Sequence, residues 1–505
     1  MKLDAAQKDR AAGVLLGMAC GDALGAGYEF GPPLTAETPV HMKGGTGFGW
    51  APGEWTDDTS MAVPLARAAA AGVDLRDEAV LDDIVAQWVD WARTAPDVGI
   101  QLRAVLSKTE PTASAVRVVA KAHHDLRGRS AGNGSLMRTA PVALAYLDDP
   151  AALAEVARLI SDLTHYETDA GDACVLWCLA IRHAVLEGEL DVRIGLPALP
   201  ADRRGLWKSR FAVAETSLPS HFAHNGWVVE ALQGAWSAIS HTQATDATHL
   251  RLALDTAVRG GRDTDTVAAI AGGLLGARWG ASAVPAPWRR IVHGWPALTA
   301  QDLVRLGARA VGAGATAART TTGGRARRDP HAETSPHINY TYLGDVSTLI
   351  RHPHDDNIWL GAAGALDTLP DEIDAVVSLC RVGPVQVPAR IRHHLEVRLI
   401  DKDDPAENPN LDFVLLDTVN AIAALRAEGH TVLVHCAQAQ SRTPSVGALY
   451  AALHRGVPIA RALAEVVSAL PAAAPRRFLR EAIVRLSETA ERDPYPTVTA
   501  EEAPA

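Results

Sequence analysis

Val434-His435-Cys436-Ala437-Gln438-Ala439-Gln440-Ser441-Arg442-Thr443 joins an apolar run to a helix-like run. The run Val432-Leu433-Val434 predicts a buried strand with Cys436 at its carboxyl end, and a helix that begins near Thr443. Backbone N–H groups of such a loop, with the helix N-terminus, attract an oxyanion and lower a thiol pKa. Five residues separate Cys436 from Arg442, whose guanidinium can grip two phosphate oxygens at once, as a lysine cannot. An ordinary buried cysteine needs neither the histidine before it nor the arginine and hydroxyl after it. These ten residues predict a phosphate cradle with a nucleophile at its base, on an α/β scaffold.

The pattern around this stretch agrees. Asn357 to Gly361, Ala375 to Leu379, His394 to Ile400 and Thr431 to Val434 are short β-type runs, alternating with helical runs at Phe413 to Ala427 and Ser445 to Arg455. An α/β domain is expected over 337–492, with a disordered tail at 493–505, rich in Pro, Thr and Glu. Upstream, 313–336 carries a Thr-Thr-Thr-Gly-Gly run and the basic Arg325-Ala326-Arg327-Arg328, and reads as a flexible linker. Before it, residues 5–312 are alanine-rich with repeated helical periodicity, as at Met61 to Ala71, Leu81 to Trp91, Leu153 to Leu163, Ala173 to Leu186 and Thr266 to Trp279. Eleven of the twelve tryptophans, all but Trp359, fall there. The expectation is a multidomain chain, all-α and then α/β.

Bulk properties narrow the class. A chain of 505 residues exceeds one compact core. The net charge of −11 gives no electrostatic reason to expect nucleic acid. Five scattered cysteines suit a reducing compartment; Cys174 and Cys178, one helical turn apart, lack further soft ligands and read as core. An early acid, Asp4, makes a poor secretory signal, and no window reaches the roughly 18 uncharged apolar residues that span a bilayer. The cytoplasm is the expected location, with no membrane partner.

A second constellation, unrelated to the first, lies in the helical half. Thr56, Asp57 and Asp58 precede a predicted helix, and so do Asp263, Asp265 and Thr266 after Gly260-Gly261-Arg262. Taken singly, each cluster can be explained as helix capping worth roughly 0.3–2 kcal/mol. Together they offer four carboxylates and two hydroxyls, a hard, oxygen-only set suited to Mg²⁺ or Mn²⁺. Four acids without a cation would repel, so two metal ions bridged by a shared aspartate are expected.

In order along the chain stand Gly17 to Phe30, Trp55-Thr56-Asp57-Asp58-Thr59, Gly132-Asn133-Gly134-Ser135-Leu136-Met137-Arg138 and Asp263-Thr264-Asp265-Thr266. Over roughly residues 8 to 310 this resembles the ADP-ribosylglycohydrolase family, which includes the dinitrogenase reductase-activating glycohydrolases. The resemblance implies an all-α fold around a dinuclear site and cleavage of ADP-ribose from a protein or other conjugate. Thr56, Asp57, Asp58, Asp263, Asp265 and Thr266 match its metal-ligand positions, and Glu29 an acid at the mouth. Asp97 resembles the loop acid near the scissile bond. Asn133, Gly134 and Ser135 match the loop whose backbone approaches the pyrophosphate, and His165 the residue lining the ribose pocket. Either Asp97 or Glu29 would transfer the proton. Where the family has Gly-Gly-Asp-Thr-Asp, this chain inserts Arg262 into the turn.

Residues 338 to 490 resemble the dual-specificity branch of the cysteine-dependent protein phosphatases. Cys436 then matches the nucleophile, Arg442 the phosphate-binding arginine, Thr443 the hydroxyl that eases thiolate departure and His435 the residue that orients the loop. Asp401, Asp403 and Asp404 precede Pro405; Asp404, with the family's spacing, is the expected general acid and Asp403 the second choice. Alanine stands at 439 where the family usually has glycine, and a positive φ there would cost about 1 kcal/mol or more. The expected function is a bifunctional hydrolase acting on an ADP-ribose conjugate and on a phosphorylated substrate. The alternative is an ADP-ribose hydrolase or sensor with a degenerate, phosphate-binding module.

Overall fold

The opening helix, Ala5–Gly25, organises the first unit of the computed structural model. Its start is a capping box: Asp4 Oδ1 accepts from the Gln7 N–H at 2.7 Å, and Gln7 Oε1 from the Asp4 N–H at 3.0 Å. From Ala11 onward the helix is buried on every side, as befits a stretch of Ala, Gly, Leu and Met with no polar face. Although it holds charged residues, it is long and apolar enough to cross a membrane by length and composition, which the sequence reading did not anticipate. It is buried within the unit.

Its main partner is the helix Thr264–Trp279, and glycines decide the contact. A β-carbon at Gly17 would lie 2.4 Å from Gly272 O, and one at Gly21 would lie 2.0 Å from Ala268 O. Four-residue spacing puts Gly13, Gly17, Gly21 and Gly25 on one face, so the two backbones touch. Asp22 and Asp265, on opposite helices, are thereby brought together.

The structure describes residues 1–45, 47–107, 109–320 and 337–489. The chain divides into two units, Met1–Arg327 and Arg328–Ala505. The first is helical, with one two-stranded ribbon pairing His293–Gly294 with Leu298–Thr299. The anticipated helical runs are present, with ends shifted by a few residues, as in Asp57–Ala71, Glu78–Ala92, Pro150–Asp162 and Thr168–Glu187. The helix Ala300–Thr320 continues through positions 313–320, where the linker was expected to begin; the segment has no proline and several alanines, so helical propensity carries it on. The rest of that stretch, with its basic patch, and the tail at 493–505 lie outside the described residues.

The second unit is α/β. Its strands are β1 (Leu349–His352), β2 (Asp355–Ala362), β3 (Ala375–Ser378), β4 (His393–Glu396) and β5 (Val432–Cys436), in the spatial order β1-β2-β5-β3-β4. β1 pairs antiparallel with β2, and the other neighbours are parallel. The central strand β5 is buried at every position, as its Val-Leu-Val run requires. Leu433 on it packs with Leu366, Ile373, Val376 and Ile391. Cys436 stands opposite Ala362 and His435 opposite Ser378, which places the thiol at the carboxyl edge of the sheet, where open α/β sheets bind ligands. β4 ends at Glu396 rather than Ile400. The edge strand β1 and the helices Ile459–Ala469 and Arg477–Thr489 were not singled out from sequence.

Candidate active sites

Two helix N-termini meet in the first unit. Asp57 and Asp58 occupy the first turn of Asp57–Ala71, and Asp265 that of Thr264–Trp279, which Asp263 precedes. Neither Thr56 nor Asp263 makes a side-chain capping bond, so capping does not account for these residues. Instead one oxygen each of Asp22, Asp58 and Asp265 lie within 4.8 Å of one another, as do oxygens of Glu29, Asp263 and Asp265. Asp265 belongs to both groups. The Thr56 hydroxyl sits 2.9 Å from Asp22, 3.1 Å from Asp58 and 3.3 Å from Asp265, and the Thr266 hydroxyl lies 3.4 Å from Asp58.

Asp58 Oδ1 is buried without a hydrogen-bond partner. A carboxylate oxygen left bare in the interior is costly, and a hard cation would answer it. Burial is the main force raising these carboxyls, with neighbouring acids adding to it. Glu29 is pushed up to about 9 and Asp57 to about 8, while Asp58 and Asp265 stand well above the ordinary carboxylate range. The donor set thus fits divalent ions.

Asp57 stands apart from both three-acid groups. It is repelled by Asp97 and accepts from the Gly99 backbone, in the loop that carries Asp97. Asp97 is half-buried and outside the groups, whereas Glu29 is inside one. Asn133 donates to Asp263 at 2.8 Å and to the Asn225 carbonyl at 2.9 Å. Ser135 is fully buried, with its Oγ 3.0 Å from Ser161 Oγ. His165 is buried against Gly132 and Gly134, and desolvation holds its imidazole well below its usual pKa.

Sequence reasoning missed two members. Asp22, fully buried, accepts from Thr56 N–H and Thr59 N–H at 2.8 and 2.9 Å; its signal was an acid interrupting an apolar helix. Asn225 receives the Asp263 N–H at 3.2 Å and donates to the Gly261 carbonyl at 3.0 Å, tying down the acidic turn. Arg262 adopts φ 67°, directly after Gly261 at φ 76°. Its backbone is clamped both ways: Arg262 N–H donates to Gly31 O at 2.8 Å, and Arg262 O accepts from Phe30 N–H at 2.6 Å.

In the second unit Arg442 opens the helix Arg442–Arg455. Its Nη1 donates to Leu379 O at 2.6 Å and Leu399 O at 3.0 Å, which fixes the guanidinium plane. Its Nε is buried with no hydrogen-bond partner, an unsatisfied donor that an oxyanion would meet. Cys436 is 2% exposed. His435 is fully buried, its Nε2 2.7 Å from Ser378 Oγ, and burial lowers it to about 3. The Thr443 hydroxyl is buried and faces the Gly361 carbonyl at 3.4 Å.

Ala439 has φ 56°, so the strain anticipated for alanine in this loop is present. The expected acid Asp404 caps its own turn, accepting from Ala406 N–H at 3.0 Å, lies 3.6 Å from Lys402 and is 42% exposed. Asp401 instead reaches the phosphate-loop side, 4.0 Å from Arg442 Nε and 3.1 Å from Arg476 Nε. The two arginines draw in the acid that the loop presents to them, which spacing alone does not reveal. Asp403, the second choice, lies near enough to Arg477 to interact with its charge.

A family model described as ADP-ribosylglycohydrolase matches residues 3–319. The ADP-ribosyl-[dinitrogen reductase] glycohydrolase of Rhodospirillum rubrum is 30% identical over 295 residues, 55% of this chain and 89% of that protein. The ADP-ribosylarginine hydrolase Tri1 of Pseudomonas putida (strain GB-1) is 31% identical over 286 residues, 55% of this chain and 73% of its own length. Human dual specificity phosphatase 28 is 35% identical over 120 residues, 24% of this chain and 67% of that protein.

Proposed function

The chain belongs to the ADP-ribosylglycohydrolase family and also carries a dual-specificity-phosphatase-like region, and from that premise we propose a bifunctional hydrolase. The first unit removes ADP-ribose from arginine side chains of a protein, a linkage suggested by one relative, the ADP-ribosylarginine hydrolase. The observation that carries this reading is the pair of three-acid groups sharing Asp265, with the bare Asp58 Oδ1 belonging to one of them. Asp22, Asp58 and Asp265 on one side, and Glu29, Asp263 and Asp265 on the other, would hold two Mg²⁺ or Mn²⁺ ions; Thr56, Asp57 and Thr266 complete the surroundings. Bound there, such ions supply Lewis-acid polarisation of substrate oxygens.

The residues of the chain do the rest. Breaking the bond at ribose C1 develops oxocarbenium character, which the surrounding carboxylates stabilise. Glu29 is committed to an acid group, so Asp97, outside both groups, is assigned proton transfer. The Asn133–Ser135 backbone takes the pyrophosphate, and His165 lines the ribose.

In the second unit the Cys436 thiolate attacks phosphorus, forming a cysteinyl phosphate as the P–O ester bond breaks. Arg442 holds phosphate oxygens through Nε and Nη2 while the two carbonyls keep Nη1. An acid protonates the departing oxygen, and Asp401 is favoured by its approach to Arg442. Water then hydrolyses the thiophosphate ester. The strain at Ala439 favours a second reading, a module that binds phosphate without turnover.

Purified wild type, Asp58→Asn and Cys436→Ser tested on ADP-ribosylarginine protein and on an aryl phosphate separate the cases. Each variant should lose one activity and keep the other. Retention of glycohydrolase activity by Asp58→Asn removes the basis of the first assignment, and an inert wild type on phosphate leaves only the binding reading for the second.

A further inference from the structure

Behind the Gly132–Arg138 loop the first unit buries a positive charge with no acid beside it. Arg138 is fully buried, and among the described residues no carboxylate stands within ion-pair distance. Its guanidinium lies 4.1 Å from the Trp88 ring centre, and Trp88 Nε1 donates to the Met61 carbonyl at 2.9 Å on the helix that carries Asp57 and Asp58. A cation–π contact offsets part of the desolvation cost. What the guanidinium gives back is directional: Arg138 Nη2 donates to Thr164 Oγ1 at 2.7 Å, and that hydroxyl is 2.8 Å from His165 Nδ1.

We propose that Arg138 and Thr164 are positioning residues that hold His165 in its Nε2–H tautomer, so that the ring offers one neutral N–H donor to an oxygen of the ADP-ribose moiety. The ligand in this inference rests on the glycohydrolase reading above; the tautomer does not. The argument is a count of protons. A guanidinium cannot accept a hydrogen bond, so Thr164 Oγ1 accepts from Arg138 and must place its own proton elsewhere. Thr164 is fully buried, and His165 Nδ1 is the acceptor within reach. Were Nδ1 protonated instead, the hydroxyl proton would be stranded in the interior. The ring therefore carries its single proton on Nε2.

Nε2 points at the loop. A β-carbon would come within 3.3 Å of it at Gly132 and 3.2 Å at Gly134, so only glycine lets the loop backbone lie this close to that edge of the ring. Burial and the nearby Arg138 and His123 keep the imidazole neutral.

The test is nitrogen and carbon NMR of the full chain with labelled histidine, the His165 signals being assigned by difference from His165→Gln. Wild type should show protonated Nε2 and unprotonated Nδ1 throughout about pH 6–8. Thr164→Ser should keep that pattern. Thr164→Val should move the ring to mixed or Nδ1–H signals and raise the ADP-ribose Kd by about tenfold, as loss of one oriented hydrogen bond predicts. Arg138→Met should shift the same signals; if it does not fold, the threonine pair decides. An Nδ1–H ring in wild type, or unchanged signals and affinity in Thr164→Val, overturns the proposal. A wild type with the tautomer in place but no affinity for ADP-ribose overturns the glycohydrolase reading and the ADP-ribose assignment with it, and leaves the relay standing.

Discussion

Replacing Ala439 with glycine should raise phosphatase activity while barely changing stability. Ala439 is held at φ 56°, a conformation that costs a residue with a β-carbon about 1–2 kcal/mol. It is also 2% exposed, so removing its methyl group forfeits about 0.8 kcal/mol of burial. Glycine gains further freedom in the unfolded chain, worth about 0.4–1 kcal/mol against folding. Those losses cancel most of the relief, and the melting temperature should stay within a few degrees. The competent loop behaves differently. If strain drives part of the population into a relaxed, non-binding loop, relieving 1–2 kcal/mol raises the competent fraction by about five- to thirtyfold at most. The assay is kcat/KM on an aryl phosphate with orthovanadate inhibition measured alongside, comparing wild type, Ala439→Gly and Ala439→Val. The valine variant, β-branched at positive φ, should lose activity. Equal kcat/KM and equal vanadate affinity in all three would refute the idea that this residue limits the loop.

Other consequences are equally direct. Gly21→Ala puts a β-carbon 2.0 Å from Ala268 O, so thermal denaturation should show a drop of several degrees, and the glycohydrolase should fail because Asp22 and Asp265 separate; a fully active, stable variant would remove the role given to this contact. Asp401→Asn should depress kcat on alkyl phosphates, whose leaving groups need a proton, far more than on an aryl phosphate with a good leaving group, and Asp404→Asn should not; the reverse ranking restores the residue that spacing chose. Burial holds His435 at about 3, below its unfolded value of about 6.5. The folded state therefore binds fewer protons, and stability, intact above pH 6.5, falls as pH drops toward 3. Hydrogen exchange in Val432–Cys436 of the full chain should accelerate over that range, and less steeply in His435→Asn.

The oxygen clusters were readable because each stands at a helix start with its acids adjacent in sequence, and the thiol because a strand, a loop and an arginine in close succession make one kind of cradle. Asp22 was not readable as a member. Its neighbours Thr56, Thr59, Asp58 and Asp265 reach it only through tertiary packing, and no local period reports a contact across more than two hundred residues. Asp401 escaped for a related reason. Which of three nearby acids faces Arg442 depends on Arg476, from the far end of the unit. The carbonyls of Leu379 and Leu399 that orient Arg442 belong to loops, whose backbone directions the sequence does not encode locally. The edge strand β1 lacks any alternation, being half-buried at Leu349 and Ile350, exposed at Arg351 and buried at His352.

The four-residue spacing of glycines along the opening helix also sets how this half of the chain can change length. One residue inserted between Gly13 and Asp22 would turn everything beyond it by about 100°, swinging the Asp22 carboxylate away from its threonines and bringing a bulky side chain where two backbones now touch. An insertion in a loop that lies away from such backbone contacts carries no such rotation into a helix. Length variation in relatives that keep the site should therefore crowd into the loops and stop short of this helix, as in a ratchet whose teeth admit only whole turns.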